Sequence, residues 1–178
     1  NVSEERQAEI IAQYGLKKDS YSISVCRIEP ENNCHVTLDA FANSGKELVF
    51  VGNWKRNDYS RRLKEKYSAY SNIKLIDSIY DLEILYTLRN NARFYIHGHS
   101  AGGTNPSLVE AMFLGKPVLA YDVVYNRETT HHKAYYWKNC NELQQLVTQK
   151  DLSSKDIKRV AQEFYTWKKI TKEYEELY

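Results

Sequence analysis

The sequence predicts an α/β protein, a parallel sheet flanked by helices. Short runs rich in β-forming residues recur at 21–27, 47–51, 73–76, 93–97 and 117–122. Segments of helical periodicity separate them, at 36–43, 58–70, 81–90 and 105–114. Strands alternating with helices imply βαβ units and hence parallel pairing. The run 47–51 is apolar after its first residue, as befits a strand buried on both faces.

Each element has a local reason. Residues 1–16 read as a short charged helix closed by Gly15, not as a signal peptide. The strand 21–27 leads into a loop, Glu29-Pro30-Glu31-Asn32-Asn33, and the helix after it stops at Ser44-Gly45. Gly52-Asn53 turns the chain away from the second strand. Helix 58–70 directs Leu63, Tyr67 and Tyr70 inward, and helix 81–90 directs Leu82, Leu85 and Leu88 inward. Helix 105–114 is the most sharply marked. Asn105 suits the N-cap, Pro106 the first helical position and Gly115 the stop, and Pro117 opens the next strand. A short strand at 134–137 follows. In the tail Ser153 and Asp156 resemble a capping box. Ile157, Val160, Ala161, Phe164, Trp167, Ile170, Tyr174 and Leu177 then recur at helical spacing, giving one long helix or two broken near Tyr165. The expected organisation is one domain over 1–178, with 1–20 as a lead-in from a preceding domain and 151–178 as closing helices.

Composition narrows the function. With 25 basic and 23 acidic residues, the chain carries no footprint for nucleic acid. No apolar run approaches the length of a membrane span. Cys26, Cys34 and Cys140 have no metal-type spacing, and an odd, sparse set points to free thiols in a reducing, cytoplasmic compartment.

The informative stretch is Ile96-His-Gly-His-Ser-Ala-Gly-Gly-Thr-Asn-Pro-Ser-Leu-Val-Glu-Ala-Met112. A strand ends, Gly102 and Gly103 leave backbone open to a ligand, and a helix starts abruptly. Ser107 lies in its first turn, where N–H groups and the helix dipole favour an anion, and Glu110 lies about one turn further in. Phosphate at the helix mouth and a hydroxyl-bearing ring near the carboxylate describe a sugar nucleotide. A plain glycine turn competes with that reading. The continuation Glu110-Ala-Met-Phe-Leu-Gly-Lys-Pro-Val-Leu-Ala120 decides for the former. The unit resembles the donor-binding motif of retaining GT-B glycosyltransferases of family 4.

That resemblance covers roughly residues 21–137 and implies a Rossmann-like, C-terminal half of a GT-B enzyme. It implies a nucleoside-diphosphate sugar as substrate, linked to UDP, GDP or dTDP, with no cofactor and no metal. The implied acceptor is a glycan or lipid-linked chain bound through an N-terminal domain, with peripheral attachment to the inner face of the membrane compatible with it. The implied donor site comprises Arg27, Asn32, Gly52, Ile79, His99, Gly102, Gly103, Thr104, Asn105, Ser107, Leu108 and Glu110. Arg27 grips the diphosphate and stabilises the leaving group, as a guanidinium can, or else pairs with Glu29 or Glu31. Glu110 takes the ribose hydroxyls. The family pattern Gly-Arg-x-x-x-x-Lys-Gly puts its lysine at Asn32, and its earlier glutamate falls on Gly102. Both departures resemble a bacterial surface-polysaccharide, rhamnosyltransferase-like subgroup, as do Glu29-Pro-Glu-Asn-Asn33 and Tyr125-Asn-Arg-Glu-Thr129.

Other residues leave alternatives open. Gly52 approaches the nucleotide or makes a plain turn. Ile79-Tyr80 passes the base, or Tyr80 packs on the core. His97 and His99 have a spacing that could bind metal, but no third ligand is evident. His97 is expected to hydrogen-bond within its loop, His99 to lie near the donor, and His131-His132 to be solvated. Asp122 and Glu128 offer a base or a loop-organising hydrogen bond. A Rossmann-like interaction module without transfer chemistry is the alternative function. An NAD-dependent oxidoreductase fits poorly, because Cys26-Arg-Ile-Glu-Pro30 stands where Gly-x-Gly-x-x-Gly would follow the first strand.

Overall fold

Six parallel strands form one sheet in the computed structural model, which describes residues 2–154 and 156–166. They are β1 (Tyr21–Val25), β2 (Glu47–Val51), β3 (Ile73–Ile76), β4 (Phe94–His97), β5 (Val118–Tyr121) and β6 (Tyr135–Trp137), in the order β3-β2-β1-β4-β5-β6. The helices are α1 (Glu4–Gln13), α2 (Cys34–Ser44), α3 (Asp58–Tyr67), α4 (Leu82–Asn90), α5 (Pro106–Leu114), α6 (Val124–Thr129), α7 (Cys140–Thr148) and α8 (Ile157–Phe164). The Rossmann-like fold class read from the sequence is the observed one.

Two cores sit on the two faces of the sheet, and residue alternation assigns each side chain to one. Tyr21 and Ile23 of β1, Val49 and Val51 of β2 and Tyr95 of β4 meet α1, α4, α5 and α8 through Ile11, Leu88, Met112 and Val160. Leu48 and Phe50, Phe94 and Ile96, and Leu119 point the other way, onto α2, α3 and α7 through Leu38, Phe41, Tyr67 and Leu143. Burial on both faces is why β2 and β5 read as nearly continuous apolar runs.

Several elements depart from expectation. β1 ends at Val25, not Arg27: Cys26 still donates to the Val51 carbonyl (3.3 Å), and the chain then turns, with Glu29 N–H on the Arg27 carbonyl (3.0 Å). α3 stops at Tyr67, and Tyr70 is exposed, because the chain must turn there to reach β3. Leu82, at the first turn of α4, is 80% exposed, while Ile84 and Leu88 pack on the core. α6 and α7 were not anticipated. α7 carries a legible signal, since Asn139 Oδ1 accepts from Glu142 N–H (3.0 Å) and Glu142 reaches back to Lys138 N–H (2.7 Å). The Ser153–Asp156 capping box does not form: Asp156 itself occupies the N-cap with φ 60° and no side-chain cap bond. α8 ends at Phe164, and the tail positions Trp167, Ile170, Tyr174 and Leu177 lie outside the described residues. Among the described residues no helix is long and apolar enough to cross a membrane.

β1 has β2 on one side and β4 on the other, so the connections leaving β1 and β4 diverge to opposite faces. A crevice opens between them at the C-terminal strand ends, where open α/β sheets receive ligands.

Candidate functional site

A cavity of about 540 Å³ occupies that crevice. The ends of β1 to β4 supply its lining: Arg27 after β1, Gly52 and Arg56 after β2, Ile79 after β3, His97 and His99 on and after β4, and then the first turns of α5. Arg27, Asn32, Gly52, Ile79, His99, Asn105, Ser107 and Glu110, eight residues spread over the sequence, thus line one cavity. Gly103 and Thr104 line a neighbouring cavity of about 470 Å³ with Tyr125 and Glu128. Gly102 is exposed at φ +84° and lines neither, and Leu108 is buried in the core. Tyr80 does not pack on the core; it is 88% exposed at the cavity edge.

The mouth of α5 is more committed than the sequence suggests. Pro106 has no N–H, the Asn105 side chain accepts from Ser107 N–H (2.9 Å), and Leu108 N–H bonds to the Asn105 carbonyl (3.0 Å). The helix field remains, but those N–H groups are occupied.

Beneath the mouth lies a polar network that the sequence did not reveal. Arg89 of α4 is buried, and it donates to Glu110 Oε2 through Nη1 (2.6 Å) and to Ser107 Oγ through Nη2 (2.8 Å). Ser107 Oγ also meets Tyr95 Oη (2.9 Å) and donates to the Val25 carbonyl (3.2 Å). Glu110 keeps 60% of its side chain exposed at the cavity wall. Burial raises the Tyr95 phenol above its ordinary range, so it stays a neutral hydrogen-bonding group.

The two loops facing each other across the switch point are stitched together. Asn32 is buried; its Nδ2 donates to the Arg27 carbonyl (2.8 Å) and its Oδ1 pairs with His99 Nδ1 (2.8 Å). Asn33 Nδ2 donates to the Gly98 carbonyl (2.8 Å). Gly52 is glycine for space, since a Cβ there would stand 2.5 Å from Ile28 Cδ1 and 2.7 Å from the Cys26 carbonyl oxygen. Arg27 pairs with Glu29 (3.5 Å), and Arg56, which the sequence did not single out, pairs with the other oxygen of the same carboxylate (3.6 Å).

His97 lies in the cavity floor, buried, and its Nε2 has no hydrogen-bond partner among the described residues. Burial pushes this imidazole down to about 3, with His99 nearby adding to the shift. The unfolded chain takes up the proton near 6.5 and the folded chain only near 3, so stability is full above 6.5 and falls as pH drops through this window. The expected loss in urea unfolding is of order 1 kcal/mol per pH unit below that point. His97→Gln should flatten the profile, and an unaltered slope would reject the assignment.

Among the described residues no group of three His, Cys, Asp or Glu side chains could hold a metal ion. Asp122 organises its loop: it accepts from Arg127 Nε (2.5 Å), which holds its carboxyl below the usual range. His131 is not merely solvated, for its ring stacks on Phe164 at 3.9 Å. All three cysteines are free thiols.

The family model for glycosyl transferases, group 1, matches residues 6–163. The chain is similar in structure to Anabaena HepE in complex with UDP-glucose, with a TM-score of 0.83 and 19% identity over 98% of this chain and 52% of that one. It is also similar to a glycosyltransferase from Rickettsia africae (TM-score 0.81, 16% identity, 99% of this chain and 52% of that one). Sucrose-phosphate synthase from Thermosynechococcus elongatus gives a TM-score of 0.78 at 20% identity, over 96% of this chain and 48% of that one. At such identities the likeness is one of fold, and the chain spans about half the length of these proteins. No curated protein sequence matches it.

Proposed function

The chain belongs to the group 1 glycosyl transferases, and on that premise we propose that it is the donor-binding half of a retaining, family 4 type GT-B enzyme. The carrying observation is the cavity at the switch point, lined by Arg27, Glu110 and the capped start of α5. Its ligand is a nucleoside-diphosphate sugar. Arg27 and the α5 dipole hold the diphosphate and offset the charge that develops as it leaves. Glu110, steadied by Arg89, accepts from the ribose hydroxyls. Gly52 and Ile79 flank the base, His99 faces the phosphates, and Gly102, Gly103 and Thr104 border the sugar. UDP is the first nucleotide to test, since a structural relative was captured with UDP-glucose. A deoxysugar donor, a bacterial surface polysaccharide as product and a cytoplasmic site at the inner membrane face complete the proposal. An N-terminal domain would bring the acceptor. A binding module without transfer is the second reading, favoured by Asn32, whose amide is engaged internally and supplies no charge.

Calorimetry with UDP, GDP, dTDP and NAD tests the proposal. Saturable binding of one nucleoside diphosphate is expected. Glu110→Gln should weaken it about tenfold, because an amide offers one acceptor where the carboxylate offers two. It leaves Arg89 an oxygen partner, so the unfolding midpoint should hold. Preference for NAD, or unchanged affinity in Glu110→Gln, would respectively sink the donor reading or the ribose role.

A further inference from the structure

We propose that Arg56, held beside Arg27 by their shared partner Glu29, is the second cation gripping the diphosphate. The inference rests on the donor-binding reading above.

The charge inventory of the cavity carries the argument. Among the described residues its lining holds two guanidinium groups, Arg27 and Arg56, and one carboxylate, Glu110, which Arg89 already compensates. A nucleoside diphosphate brings more negative charge than one arginine can balance. The start of α5 cannot make up the difference with free donors, because Pro106 lacks an N–H and the Ser107 and Leu108 N–H groups are engaged. Position 32 contributes an amide whose two ends are taken. Lys55, the neighbouring cation, turns to Asp77 (3.7 Å) and does not line the cavity.

Arg56 is also placed to act with Arg27. Glu29 is only 16% exposed and meets Arg27 Nε through Oε2 and Arg56 Nη2 through Oε1. It offsets the repulsion between the guanidiniums and keeps both at the cavity. At 3.5 and 3.6 Å these ion pairs are longer than hydrogen bonds, so neither fork is committed. A diphosphate can therefore take bidentate bonds from both while Glu29 stays behind them. The loop carrying Arg56 is anchored to the Arg27 segment, since Asn57 Nδ2 donates to the Ile28 carbonyl (3.3 Å). Arg56 is half-exposed, so its removal should not disturb folding.

The test titrates UDP, GDP and dTDP, and the matching nucleosides, into the unaltered chain and into Arg56→Ala, Arg56→Lys and Arg62→Ala. Arg56→Ala should weaken the bound diphosphate about tenfold and make its affinity less salt-dependent, with the nucleoside unaffected. Arg56→Lys should recover part of the loss, and Arg62→Ala, a charge on α3 away from the cavity, should match the unaltered chain. Equal losses for diphosphate and nucleoside, or no loss for either, overturn the inference while leaving the donor site standing. If the unaltered chain binds no nucleotide and no nucleoside, the donor-binding reading fails and this inference goes with it.

Discussion

Gly98→Ala is expected to destabilise the chain by about 3 kcal/mol and to abolish nucleotide binding, the upper end of what overpacking costs. The reason is not the backbone conformation of Gly98. A Cβ there would fall far inside contact distance of the Asn32 carbonyl oxygen, and 3.1 Å from its carbonyl carbon. Both atoms are backbone, so no side chain can swing aside. The loops cannot simply part either. Asn33 Nδ2 holds the Gly98 carbonyl, Asn32 holds His99, and Ser100 N–H and Oγ both donate to the Glu31 carbonyl (2.9 and 2.8 Å). Relief of the clash must break several of these bonds, on the walls that carry Arg27 and His99. Urea unfolding read beside UDP titration would check this. A midpoint like that of the unaltered chain would show that the loops separate freely.

What the sequence could say depended on how local the cause was. β2 was read to the residue because two-sided burial writes itself as an apolar run; β3, a partly buried edge strand, was legible from Ile73, Leu75 and Ile76 despite Lys74 between them. α5 was legible through its caps, with Asn105 and Pro106 at one end and Gly115 at the other. The inward face of α4 was misread at Leu82, since periodicity names a stripe but not where the helix overhangs its neighbours. The same limit hid Arg89. A basic residue beside Leu88 reads as a solvated edge until α5, about twenty residues later, brings Ser107 and Glu110 against it. Its one signal was position, next to an inward leucine, where a charge needs a partner. Arg56 left no signal, because Glu29 is its neighbour only through the pairing of β1 with β2.

Arg89→Met should separate stability from binding. The guanidinium is buried, with Nε lacking a partner among the described residues, and so is held at a desolvation cost that its contacts offset only in part. Methionine replaces the volume, and the carboxylate left behind, 60% exposed, can be solvated. Ser107 Oγ keeps Tyr95 and the Val25 carbonyl. The unfolding free energy should therefore move by no more than about 1 kcal/mol in either direction. Binding should fare differently. Glu110 loses its steadying contact, and nucleotide affinity should fall about tenfold or more. The reciprocal change is predicted to be asymmetric. Glu110→Ala leaves Arg89 charged, buried and without its carboxylate, and should destabilise the fold by about 2 kcal/mol as well as weakening the ligand. Chemical unfolding and calorimetry on the two variants decide the matter. Equal stability losses in both would mean that the pair is a structural strut. A stable Arg89→Met chain with full affinity would mean that Glu110 needs no support to do its work.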